Sequence, residues 1–142
     1  DPRDAMLSAY EYGQRSIEKG RPNFFSHLRN FEETLDFMTD YVHIWEGWMS
    51  EKKALIARYE DLLTDYDAET SRLVANLGLD ADDEAVNAVV EEYRPGQAEA
   101  GQQGLHFFKG KMGRFRDAYT SDQQVVMAER FGVALKKMNY KL

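Results

Sequence analysis

One short segment limits what this chain can fold into. Ala54-Leu55-Ile56-Ala57-Arg58-Tyr59 is a compact apolar run, the pattern of a strand buried on both faces in a parallel sheet. The rest of the chain reads at helical periods or as loop. A parallel strand cannot stand alone, because its backbone groups need neighbours in register. The expectation is therefore an α/β protein whose remaining strands lie upstream of Asp1, these 142 residues being its C-terminal, mostly helical part. The start, Asp1-Pro2-Arg3-Asp4, is neither a signal peptide nor an initiator Met and reads as a cut inside a longer chain.

Helix signals fill most of the remainder. Asp1 is an N-cap with Pro2 at the first helical position, opening a helix through about Tyr12. Residues 13–29 carry Gly13, Gly20, Pro22 and Asn23 and read as a loop. Asn30 with Glu33 is a capping-box pattern, and Phe31, Leu35, Met38, Val42 and Trp45 follow at spacings of three and four. Asp67 caps a helix carrying Leu73, Val74 and Leu77, stopped by Gly78. Asp82 or Asp83 opens another, with Val86, Val89, Val90 and Tyr93 on its inner face, ended by Arg94-Pro95-Gly96. Residues 95–113 read as an extended Gly-rich loop. Thr120 with Gln123 is a second capping box, opening a last helix with Val125, Ala128, Phe131 and Leu135 inward.

Composition removes several function classes. With no Cys there is no disulfide, thiol nucleophile or thiolate metal site, and a reducing cytoplasm is the expected compartment. No apolar run approaches the roughly 20 residues of a membrane-spanning helix. The net charge of −7 disfavours nucleic acids and anionic membranes unless basic residues gather locally. They gather once, in Lys109-Gly110-Lys111-Met112-Gly113-Arg114-Phe115-Arg116. Eighteen basic residues less these four leaves 14 against 25 acidic ones, a net −11 for the remaining chain. One positive island in a negative protein points to a small anionic ligand.

That loop is the first candidate site. Gly110 and Gly113 allow backbone amides to approach a ligand, and Lys109, Lys111, Arg114 and Arg116 supply charged donors. It is no nucleoside-triphosphate loop: five residues instead of four separate Gly104 from Gly110-Lys111, and Met112 stands where Ser or Thr is needed. The helix opening at Asp1, with Arg3 and Ser8, is a second place for an anion. Tyr59, at the strand's carboxyl end, sits where open α/β sheets bind ligands, though an aromatic closing the core reads the same way. His27, His43 and His106 are scattered, a His43–Glu46 pair alone makes no metal site, and Trp45, Trp48, Met49 and Met38 read as core. The acids from Asp80 to Glu84 lack the alternation of a calcium loop.

In order and separation these segments resemble the PAPS-dependent sulfotransferases. Asp1-Pro2-Arg3-Asp4-Ala5-Met6-Leu7-Ser8-Ala9-Tyr10 is similar to the family's R-D-P-R-D-x-x-x-S-x-Y segment without its first Arg. Arg58-Tyr59-Glu60-Asp61-Leu62 resembles its R-Y-E-D-L. Phe108-Lys109-Gly110-Lys111-Met112-Gly113-Arg114-Phe115-Arg116 resembles its R-K-G-x-x-G-D-W-K, followed by Tyr119-Thr120 for Phe-Thr. Two departures stand out: Phe108 replaces an Arg, and Arg114 reverses the charge of an Asp.

The resemblance implies a P-loop-like parallel-sheet fold and transfer of a sulfuryl group from 3′-phosphoadenosine 5′-phosphosulfate (PAPS) to a hydroxyl or amine of a small acceptor. Residues 1–142 would be the C-terminal portion of one sulfotransferase domain, holding the subsite for the donor's 3′-phosphate and adenine. Ser8, Lys109 and the Gly110 amide would bind the 3′-phosphate, with Lys111, Arg114 or Arg116 compensating for Phe108. Tyr59 would face the adenine, with Tyr93 on its other side. The catalytic base and phosphosulfate loop would lie upstream, leaving this chain alone inactive. No metal, nucleic acid or membrane is implied. Phe24, Phe25, Tyr41 and Trp45 would wall an apolar or aromatic acceptor site. Three other readings stand beside it: a helical interaction module docking a partner through Met38–Met49, a relative that binds the nucleotide without turnover, and a different nucleotide-dependent transferase indifferent to the 3′-phosphate.

Overall fold

A computed structural model describes residues 1–95 and 110–141. In chain order these form α1 (Pro2–Glu18), a 3₁₀ turn (Phe24–His27), α2 (Phe31–Met49), α3 (Tyr59–Thr64), α4 (Tyr66–Asn76), α5 (Glu84–Glu92), α6 (Phe115–Ala118) and α7 (Ser121–Lys137). Helical segments hold 69% of the described residues, and among those residues there is no strand. The expected α/β sheet is thereby overturned. Residues 54–58 join no ladder, the Ile56 carbonyl accepts from the Arg72 guanidinium, and α3 begins at Tyr59. The reason is one of partners. An apolar run becomes a strand only beside another strand, and no described segment offers one.

The chain divides into two compact units, residues 1–52 with 112–142, and residues 53–111. In the first, α1 opens as its sequence suggests, with Asp1 Oδ1 accepting from the Arg3 amide at 3.0 Å and Pro2 at the first position. It then continues through Gly13 to Glu18, well past Tyr12. Gly13 is no breaker: a Cβ there would collide with the Phe25 carbonyl, so the bare backbone is what lets the 3₁₀ turn lie against α1. The Asn30 side chain caps α2 by accepting from the Glu33 amide at 2.9 Å. Glu33 reaches back to the Arg29 amide. Thr120 and Gln123 close a complete capping box on α7.

The core of this unit is Met6 from α1, Leu35, Met38 and Val42 from α2, Phe115 from α6, and Met127, Phe131, Ala134 and Leu135 from α7. Burying a side chain such as Phe131 contributes about 1.5–3 kcal/mol. Val125, expected inside, is exposed, and the inner face of α7 runs instead from Met127. Trp48 and Met49 are also exposed, against the expectation of core.

In the second unit α4 starts at Tyr66, directly after Asp65, whose side chain makes no cap hydrogen bond, and Asp67, expected as the cap, lies in the first turn. Gly78 (φ 68°) ends it, and the Leu79 amide returns to the Val74 carbonyl at 3.1 Å. Asp83 caps α5 by accepting from the Ala85 amide at 2.7 Å. The described hydrophobic residues of this unit are none of them fully buried; Val89 and Tyr93, expected inward, are more than half exposed. No described helix is long and apolar enough to cross a membrane.

Candidate functional site

The end of the basic loop, Gly113 to Phe115, is held by the first turn of α1. Asp4 stands at the third helical position, which often reaches back to its own N-cap amide. Here its carboxylate reaches across instead: Oδ1 accepts from the Phe115 amide at 2.9 Å and Oδ2 from the Gly113 amide. Gly113 has φ 73°, where a side chain would be strained and would strike the Arg116 guanidinium. Arg3, expected to offer donors to an anion, is buried and already engaged. Its guanidinium forms a two-pronged pair with Asp1, donates to the Lys141 carbonyl at 2.7 Å and lies 4.2 Å from the Phe115 ring centroid. Burial lowers its pKa, with Asp4 and Tyr140 opposing.

Ser8 lies one turn after Asp4 on the same face of α1. It is exposed and makes no hydrogen bond to a described residue. By contrast Thr34, Thr39, Thr64 and Thr70 all donate to the carbonyl four residues back. The Ser8 hydroxyl is thus available to a ligand. The basic residues after Gly110 divide sharply. Arg114 is committed to Glu11, and Arg116 lies 4.6 Å from the Phe115 ring centroid. Lys111 is exposed and forms no ion pair with a described residue, so it is the better candidate to compensate for Phe108. Lys109 and Phe108 lie outside the described residues.

In the second unit, Tyr59 and Tyr93 line one apolar groove of about 600 Å³. Leu62, Tyr66, Val74 and Val86 furnish part of its wall. The Tyr66 hydroxyl is taken up by the Val90 carbonyl at 2.6 Å, and burial raises its pKa. Arg94 lies 5.1 Å from the Tyr66 ring centroid and pairs with Asp67 and Glu91. Gly110 (φ 55°) adjoins this side: a Cβ built on it would sit 4.0 Å from the Tyr59 hydroxyl. A hydrophobic slot with aromatic walls and a nearby bare backbone suits a planar ring carrying an anionic group.

Phe24, Phe25, His27, Phe37 and Tyr41 form a surface cluster of rings in the first unit, with centroids 4.7–6.1 Å apart. Three of the expected acceptor-wall residues, Phe24, Phe25 and Tyr41, belong to it. Among the described residues no cluster of three His, Asp or Glu side chains could hold a metal. Sequence reasoning missed Asp4. The one available signal was an acid in the first turn of a helix whose same face carries Ser8.

A family model described as the sulfotransferase domain matches residues 1–138. No curated protein and no solved structure gives a match.

Proposed function

The chain belongs to the sulfotransferase family, and from that premise we propose that it carries the 3′-phosphate and adenine subsite for PAPS. The observation that carries this reading is the groove shared by Tyr59 and Tyr93 with Gly110 beside the Tyr59 hydroxyl. The adenine lies in that groove. Ser8, Lys109 and the Gly110 amide bind the 3′-phosphate, and Lys111 adds a cation where Phe108 has removed one. A 3′-phosphate carries nearly two negative charges, and cations with backbone amides are the donors that distinguish it from an adenine nucleotide lacking it.

The reaction of the complete enzyme is in-line transfer of the sulfuryl group to a hydroxyl or amine of a small, apolar or aromatic acceptor. A base removes the acceptor's proton as its oxygen or nitrogen attacks sulfur. The bond from sulfur to the bridging oxygen breaks, and positive groups stabilise the charge left on the nucleotide. This chain positions the donor. The base lies in other parts of the enzyme, and residues 1–142 alone do not turn over.

Titration calorimetry with adenosine 3′,5′-bisphosphate and with 5′-AMP at one salt concentration tests the reading. We expect the bisphosphate to bind at least tenfold tighter, about 1.4 kcal/mol. Lys109→Ala should abolish that preference, whereas Tyr59→Ala should weaken both nucleotides alike. Equal affinities for a folded wild-type sample would refute the donor site. A second reading is favoured by the exposure of Ile44, Trp48 and Met49 on α2, which suits a surface that docks a partner. It predicts that neither nucleotide binds.

A further inference from the structure

We propose that Asp4 is the positioning residue of the 3′-phosphate subsite: it fixes Gly113 and Phe115, at the end of the basic loop, against the first turn of α1, one helical turn before Ser8. The inference rests on the donor-site reading above and goes beyond it by naming the group that sets the geometry. Asp4 makes no contact expected of a ligand-binding acid. Both of its oxygens are spent on backbone amides, those of Phe115 and Gly113. A carboxylate beside an anion is ordinarily unfavourable, and two donated amide hydrogens are what make it tolerable here. Ser8 follows four residues later, about 6 Å along the helix axis and on the same face. One rigid helical turn therefore carries both the loop's anchor and the free hydroxyl. Glu11 on the same helix takes Arg114, and Arg3 packs under Phe115, so the first and third turns of α1 together grip residues 113–115. A phosphate reader built this way is ordered before ligand arrives.

Asp4→Asn separates this role from its rivals. The amide keeps one acceptor but turns an N–H toward the second backbone amide, so one anchor is lost while shape is conserved. We expect the preference for adenosine 3′,5′-bisphosphate over 5′-AMP to fall about tenfold, the worth of one hydrogen bond to a charged group. Affinity for 5′-AMP should be unchanged. A proportional loss for both nucleotides would reduce Asp4 to a fold-supporting residue and overturn the proposal. Tighter bisphosphate binding would overturn it too, by showing that Asp4 acts on the phosphate merely as a like charge. A preference abolished by Ser8→Ala yet intact in Asp4→Asn rejects the positioning role alone. No preference in the wild type rejects the donor reading and this inference with it. Should Asp4→Asn fail to fold, amide hydrogen exchange of the wild type decides. Gly113 and Phe115 should be protected without nucleotide and gain little on adding it. Protection acquired only with the bisphosphate would mean that the ligand orders the end of the loop.

Discussion

At Gly13 a single methyl group decides whether the 3₁₀ turn can dock, and Gly47 supplies the contrast. Both are helix-interior glycines, and on propensity alone Ala at either should stabilise by about 0.5–1 kcal/mol. At Gly47 nothing lies within 4 Å of an added Cβ, so that gain should appear. At Gly13 the Cβ meets the backbone of Phe25, which cannot swing aside as a side-chain tip would. Overpacking of this kind costs about 1–3 kcal/mol and should outweigh propensity. Urea denaturation is therefore expected to shift in opposite directions, Gly47→Ala to a higher midpoint and Gly13→Ala to a lower one, with the slope unchanged. A rise for both would mean that the turn is not seated on α1. Phe131, 1% exposed in the core, gives the scale: Phe131→Ala should cost about 3–5 kcal/mol.

Elements that end on local chemistry were legible in the sequence. Thr120 and Gln123 bond each other's backbone as their spacing suggests, Asp83 caps α5, and Gly78 stops α4. Each of these signals involves neighbours within a few residues. Thr120→Ala should cost about 1 kcal/mol in thermal unfolding, the usual worth of such a cap. What could not be read is what depends on distant chain. Gly13 looked like a breaker because Phe25 is invisible to periodicity. Residues 54–59 looked like a strand because a short apolar run says nothing of a partner. Asp4 lies 109 residues from Gly113, so no local pattern announces their bond, although the Gly-rich loop itself was plain. In the second unit the pairing of acids with arginines, Glu69 and Glu91 with neighbours three residues on and Asp67 with the distant Arg94, has a pH signature. Hydrogen bonds from Arg94 hold Asp67 and Glu91 below their usual pKa values, and Arg72 does the same for Glu69. A carboxylate with a depressed folded pKa adds stability above its unfolded value, roughly 4, and loses it as pH falls through the folded pKa. Helicity of α4 and α5 should thus be flat around neutrality and decline only under acid, as followed by NMR of their amides. A loss near pH 7 would contradict these pairings.

On the scale of the molecule the two units differ in how they are held together. Every fully buried hydrophobic residue among those described, from Met6 to Leu135, belongs to residues 1–52 or 112–142. Residues 53–111 contribute helices around an apolar groove whose walls remain open to solvent. Local opening follows buried contact density, so amides of α3, α4 and α5 should exchange with solvent well before those of α1, α2 and α7. The groove also gives that weaker unit the most to gain from a ligand. A nucleotide bound only to the folded form stabilises it by about 2.7 kcal/mol at a hundred times its dissociation constant. If adenine occupies the slot between Tyr59 and Tyr93, 5′-AMP alone should slow exchange in α3–α5 at a concentration scaled to its own affinity. Adenosine 3′,5′-bisphosphate should give the same protection at a lower concentration. Tyr93→Ala should remove the effect of both without altering exchange in α7. Protection by nucleotide in α1, α2 and α7 with none in α3–α5 would place the adenine elsewhere and leave the groove without a nucleotide role.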